Sequence, residues 1–252
     1  MEKGIYLATK IIGKSLDDNT KLEIDLLLEE AKSYSFKEPD FRSEIRELID
    51  RLPEESILAL KGYTGLNFKK INAILRNNWN YEELYKKTEE EEQKLREDIS
   101  MIDEIISNFP PNKNAFVTYR GSSVASYKKY GIDSIEELKC LEGKYLYEEG
   151  YTSTSLDEKE SYYNKEINGT INNIETVYII PPYSNDGMPL TSSVLSYSPN
   201  QKEYLLGRNC LSKVVDVKID GNSAIVTAVL IPQKIWNKTV KLDTKEVKKW
   251  KK

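Results

Sequence analysis

Gln201 and Glu203 stand two residues apart in the stretch Tyr197-Ser198-Pro199-Asn200-Gln201-Lys202-Glu203-Tyr204-Leu205-Leu206-Gly207-Arg208, where a turn cluster runs into a strand-like segment. In an extended strand this spacing puts the amide and the carboxylate on one face and Lys202 on the other. Side by side at the mouth of a strand and beneath a turn, they form a candidate site. The pair alone is weak, because such spacings arise by chance in a chain of this length. Two absences narrow the chemistry around it. The 252 residues include no histidine, which removes histidine general bases, Ser-His and Cys-His pairs and the commonest zinc sites. Cys140 and Cys210 lack partner ligands and C-x-x-C spacing, so they read as buried or half-buried thiols, with a disulfide between them left open. Any catalysis here must use carboxylates, hydroxyls, amides and arginines.

Two further stretches offer such groups. Tyr119-Arg120-Gly121 closes a strand-like run, and an arginine beside a flexible glycine turn can hold a phosphate through two parallel hydrogen bonds. Gly150 to Leu156 reads as a strand with alternating hydroxyls, Ser153 and Ser155 on one face and Thr154 on the other. A neutral hydroxyl there can orient a nearby carboxylate without changing its charge.

The elements that must position these groups fall into two runs. The first half is helical: Lys21 to Tyr34 behind Asp17, Asp18 and Asn19 as caps, Phe41 to Leu52, and Pro53 to Tyr63 ending at Gly65. A helix capped by Asn67 follows to Asn77, and a long one covers Tyr81 to Phe109. The Glu89-Glu90-Glu91-Glu92 run reads as the solvated face of that last helix. After Pro111 come short β-rich runs, Ala115 to Tyr119, Gly150 to Ser155, Thr176 to Ile180, Gln201 to Leu206, Cys210 to Ile219 and Ser223 to Ile231. One helix, Ser134 to Cys140, interrupts them, and Asp220-Gly221-Asn222 joins the last two as a hairpin. Helices first and strands later predict an α+β domain. A net charge of -4 gives no electrostatic case for nucleic acid, and no apolar run is long enough to span a bilayer. No secretory segment is visible at the start, and the basic Lys245 to Lys252 tail reads as a frayed end.

Taken together, Tyr119-Arg120-Gly121, Ser153-Thr154-Ser155 and Gln201-Lys202-Glu203 resemble the Arg, Ser-Thr-Ser and Gln/Glu-x-Glu signature of mono-ADP-ribosyltransferase toxins. Tyr63-Thr64, Ile71-Asn72 and Leu75-Arg76 look like the helix these toxins place over the NAD site. Leu205-Leu206-Gly207-Arg208 is similar to the Leu-Leu-Pro-Arg of the Rho-modifying exoenzymes, and the resemblance spans Glu54 to Ile231. Joint occurrence in order is far more specific than any one motif.

The resemblance implies an ADP-ribosyltransferase-like α+β fold, a mainly antiparallel core of two packed sheets with N-terminal helices. It divides the chain into a helical extension (1–40), a strut or docking surface, and a catalytic domain (41–252). NAD would be the co-substrate, with no metal, and its nicotinamide–ribose bond would break through an oxocarbenium-like state. Glu203 would bond the ribose and offset the developing charge, as carboxylates do in glycosidases, and Ser153 would orient Glu203. Arg120, Arg76 and Arg208 would bind the pyrophosphate or its adenylate side, with Gly121, Asn72 and Thr154 also in the cofactor site. In the 157–173 loop, Tyr162 or Tyr163 with Lys165 would stand in for the family's aromatic and arginine near nicotinamide, and Tyr163 is assigned to the cofactor.

Gln201 would address the acceptor. In the family a glutamate here goes with arginine acceptors, whereas an amide suits asparagine, which implies a host Rho-type small GTPase as target. Ser198 stands where those relatives carry a target-contacting aromatic, with Tyr197 one residue further back, and Asn200 replaces a glycine, a mild change if its backbone is left-handed. The alternatives are an NAD glycohydrolase, the enzymatic component of a binary toxin with another target, or a non-enzymatic module on the same fold. The expected state is a secreted monomer acting in a host cytosol, with a translocation partner left open.

Overall fold

The computed structural model describes residues 16–76, 88–167 and 169–236. Helix α1 (Asp18–Ala31) starts where the Asp17 carboxylate accepts the Thr20 N–H at 2.7 Å, the side-chain cap its sequence suggested. Helices α2 (Arg42–Ile49) and α3 (Glu54–Gly62) follow, the latter entered from Pro53. Gly65 does not end α3 in the expected way. The chain widens into a π-turn, Tyr63–Asn67, and continues directly as α4 (Phe68–Leu75), with Gly65 holding the one non-helical backbone pair (φ -91°, ψ -108°). Asn67 makes no capping bond.

Helix α5 (Glu89–Asn108) opens on a capping box, in which the Thr88 side chain bonds the Glu91 N–H and the Glu91 carboxylate bonds the Thr88 N–H. The four glutamates form its first turn, where the helix dipole favours negative charge, and they largely face solvent as the sequence suggested. The expected residues 81–87 of this helix, the end of α4 near Asn77 and the basic tail lie outside the described residues. No helix among the described residues is long and apolar enough to cross a membrane.

Ten strands follow: β1 (Phe116–Ser122), β2 (Tyr145–Glu148), β3 (Thr152–Ser155), β4 (Glu166–Ile167), β5 (Thr170–Ile171), β6 (Ile174–Ile180), β7 (Gly187–Pro189), β8 (Glu203–Leu206), β9 (Cys210–Asp220) and β10 (Ser223–Ile231). A short helix, α6 (Gln233–Trp236), closes the described chain. Eight strands hydrogen-bond in the order β2-β9-β10-β6-β1-β3-β8-β7, and β4 pairs only with β5. All pairings are antiparallel except β6 with β10. The two separate sheets expected are thus one hydrogen-bonded sheet, but its halves join through a single register pair, Tyr119 opposite Ser155. The β9–β10 hairpin turns as expected, with Gly221 at φ +53°. The helix expected at Ser134 to Cys140 is a 3-10 turn, Glu136–Leu141, and Cys140 and Cys210 are both free thiols.

Burial explains the seam. The β3–β8–β7 half, together with β1, packs with α2 to α5 in one core that includes Phe41, Tyr63, Ile102, Phe116, Tyr151 and Tyr204. A second core beneath the 3-10 turns includes Tyr127, Tyr130, Ile174 and Val226. Helix α1 packs Ile24 with Leu211, Ile231 and Trp236 of the far half. The helical layer thus presses α4 and its π-turn onto β3 and β8. Replacing the fully buried Ile102 by alanine should lower stability by about 2–5 kcal/mol, read as a shifted denaturation midpoint.

Candidate active site

Strands β3 and β8 place Ser155 opposite Glu203 and Ser153 opposite Leu205. Ser153 is the junction of the site. Its hydroxyl acts on the half-buried Glu203 carboxylate and lowers its pKa, and its carbonyl oxygen accepts an Arg120 N–H at 2.6 Å. The buried Tyr63 hydroxyl accepts from Asn72 Nδ2 at 3.2 Å, and Ser153 helps hold its pKa down. Burial, then the Glu203 charge, pushes Tyr63 up to about 12, so near neutral pH it stays a protonated donor. Burial raises the Glu203 carboxyl above its ordinary value, opposed by the Ser153 bond and the Arg120 charge. Arg120 and Ser153 thus converge on Glu203, as their order along the chain suggested.

Gln201 reaches the same place by another route. It lies outside the strand, in a 3-10 turn (Pro199–Gln201), and β8 begins only at Glu203. The reversal between them falls on Lys202 at φ +48°, so Lys202, rather than Asn200, takes the left-handed backbone. Same-face alternation therefore does not join the two signature side chains. Gln201 turns instead to Tyr162, its Nε2 donating to that hydroxyl, which burial and then the Glu203 charge push up. The turn is held from below by Ser155 Oγ, which donates to the Gln201 carbonyl at 2.8 Å, and from the side by Lys202 paired to Asp157 at 3.0 Å. It also docks on the π-turn, with the Tyr197 N–H on Thr64 Oγ1 at 3.1 Å and Lys61 over the exposed Tyr197 ring.

Gly121 is needed for a close approach instead of a turn. It lies within β1, its N–H donates to the Ser161 carbonyl, and a Cβ there would sit 2.2 Å from the Tyr163 nitrogen. The loop after β3 therefore folds back across the arginine strand, with Tyr162 and Asn164 in left-handed backbone. Of the two loop tyrosines, Tyr162 faces Gln201 and Glu203, with Lys165 over its ring at 5.0 Å, while Tyr163 contributes its backbone to the Gly121 contact.

A cavity of about 260 Å³ opens between β1, β2, β6 and the Val124–Tyr130 turn, lined by Arg76, Arg120, Lys129, Glu148 and several hydroxyls including Thr176. Arg76 and Arg120 share it as expected of an anion-binding pair. Arg208 is not among its lining residues: it is ion-paired to Asp103 of α5 at 2.6 Å, which also accepts the Tyr151 hydroxyl. Thr154 is buried and donates to the Tyr204 carbonyl at 2.7 Å, a bond that ties β3 to β8. Asn72 is a buried clamp whose Oδ1 accepts the Tyr151 N–H at 2.9 Å, and Gly150 is small because Asn72 and Arg76 press on it. Glu148, Lys129 and the junction role of Tyr63 carried no signal in the sequence, because their partners are remote in the chain.

A carboxylate oriented by a serine, with an arginine spanning from it to a cation-lined cavity, is the arrangement of an ADP-ribosyltransferase. The chain belongs to the ADP-ribosyltransferase exoenzyme family, whose model matches residues 41–234. Among solved structures it is similar to C3stau2 from S. aureus with NAD, at 20% identity and TM-score 0.56 over 79% of this chain and 99% of that one. It is similar to the Clostridium limosum C3 exoenzyme, at 22% identity and TM-score 0.56 over 79% and 98%. It also resembles the enzymatic component C2-I of the C2-toxin from Clostridium botulinum, at 18% identity and TM-score 0.56 over 78% of this chain and 47% of that one. No curated protein matches the sequence.

The Ser153 bond holds the Glu203 pKa down, so its loss should raise that pKa. Ser153→Ala should therefore move the acid limb of the pH profile for NAD cleavage to higher pH. An unmoved limb would separate Ser153 from Glu203.

Proposed function

We propose that this chain is a toxin that transfers ADP-ribose from NAD to a host protein, on an asparagine of a Rho-type small GTPase. The observation that carries this reading is Gln201, an amide rather than a carboxylate on the turn beside Glu203. An amide offers a donor and an acceptor to another amide, whereas a guanidinium acceptor would call for a carboxylate. In this reading Glu203 faces the positive charge that develops on the ribose, Ser153 and Tyr63 hold it, and Arg120 and Arg76 take the diphosphate. Gly121 and the 161–163 backbone would border the nicotinamide end. The protein would act as a secreted monomer in a host cytosol, with 41–252 as the catalytic domain.

The likeness to C2-I favours a second reading, an enzymatic component with a different target, and Ser198 in place of an aromatic points the same way. Mass spectrometry of a host lysate treated with the protein and NAD decides between them, and acceptors found only on arginine would overturn the asparagine assignment. Nicotinamide release with no labelled protein would instead indicate a glycohydrolase. Glu203→Gln should lower NAD cleavage by about 100-fold or more, the scale of losing one preorganised electrostatic group. Gln201→Glu should reduce transfer to asparagine while largely sparing NAD cleavage, checked by comparing nicotinamide release with protein labelling.

A further inference from the structure

We propose that Lys129 is a third cation of the diphosphate site, held at the cavity wall by Glu148, which also holds Arg76. The inference rests on NAD as the donor substrate and adds residues that the signature motifs do not include. Lys129 lies on the 3-10 turn Val124–Tyr130 that follows the arginine strand, and it lines the same cavity as Arg76 and Arg120. Its ammonium bonds Glu148 Oε2 at 2.9 Å and the Tyr147 carbonyl at 3.2 Å. The other oxygen, Glu148 Oε1, accepts Arg76 Nε at 2.7 Å and the Gly150 N–H at 3.1 Å. One carboxylate thus fixes two cations that arrive from α4 and from the 3-10 turn, on either side of β2.

Charge decides what the cluster is for. Glu148 is largely enclosed, with its side chain 24% exposed, and its cations hold it at about 2, so it stays ionised near neutral pH. A single carboxylate needs a single cation. Three cations line this cavity against one lining carboxylate, in a protein whose net charge is -4, while Glu203, which is not among the lining residues, faces the Arg120 charge. A diphosphate linkage carries two negative charges. Glu149 approaches Lys129 only at 3.9 Å and does not line the cavity. The Lys129 ammonium has three donors, two of them on the acceptors named, so one remains to reach a phosphate oxygen. Glu148 is then a positioning residue: it prevents two neighbouring cations from repelling each other apart before the anion arrives.

Isothermal titration with ADP, which carries the diphosphate without nicotinamide, tests the assignment. Lys129→Gln, a partly exposed position, should weaken ADP binding about tenfold, the low end for one charge-assisted hydrogen bond, and raise the KM for NAD by a similar factor. Lys129→Arg should restore most of the affinity. The acid limb of the pH profile, which reports Glu203, should not move in either variant. Lys129→Gln binding ADP as tightly as the wild type would make Lys129 a strut for Glu148 and overturn the proposal while leaving the NAD reading standing. A wild-type protein that binds neither ADP nor NAD would overturn both.

Discussion

The two halves of the sheet touch at one register pair, Tyr119 opposite Ser155, and the site is built across that seam. Seven register pairs hold β1 to β6, so the arginine strand belongs structurally to the far half. Ser153 and Glu203 belong to the near half, on β3 and β8. The Arg120 bond to the Ser153 carbonyl therefore joins the halves and also fixes the Arg120 charge relative to the strands that carry Ser153 and Glu203.

The helical layer preorganises what the seam leaves loose. Asn72 and Arg76, one turn apart on α4, press on Gly150 at the entry to β3, where a Cβ would sit 2.5 Å from Asn72 Oδ1. From there a line of polar side chains runs from Asn72, bonded to Tyr63, through the Ser153 hydroxyl to Glu203. Each hydroxyl in that line is neutral, so it orients the carboxylate without cancelling its charge. The turn that carries Gln201 is held independently, by Ser155 beneath, Asp157 beside and the π-turn behind. Ser153 serves the carboxylate and Ser155 serves the turn, which gives the two serines of the Ser-Thr-Ser run separate tasks, while Thr154 on the opposite face stitches the strands.

Much of this was legible in the chain because it depends on residue type and order. Arg120, Ser153 and Glu203 are each identifiable as chemistry-bearing residues, and hydroxyl alternation correctly separated Ser153 and Ser155 from Thr154. Gln201 shows the limit. Two-residue spacing put it beside Glu203 for a reason that does not hold, since a left-handed Lys202 intervenes and the Gln201 amide bonds Tyr162. Arg208 shows it again: its pairing with Asp103 of α5, remote in sequence, could not be read from its motif.

Sequence alone determined the α+β order, the capped α1, the β9–β10 hairpin and the set of groups available for catalysis, because caps, turns and hydrophobic period act over a few residues. Only the tertiary structure decided which cations share a cavity and which glycine admits a crossing loop. It also decided that two predicted sheets are one sheet hinged at a single pair. Those outcomes depend on contacts such as Arg76 to Glu148, 72 positions apart, and Arg208 to Asp103, 105 apart. Charge and burial select such partners in three dimensions, and no local periodicity records the selection.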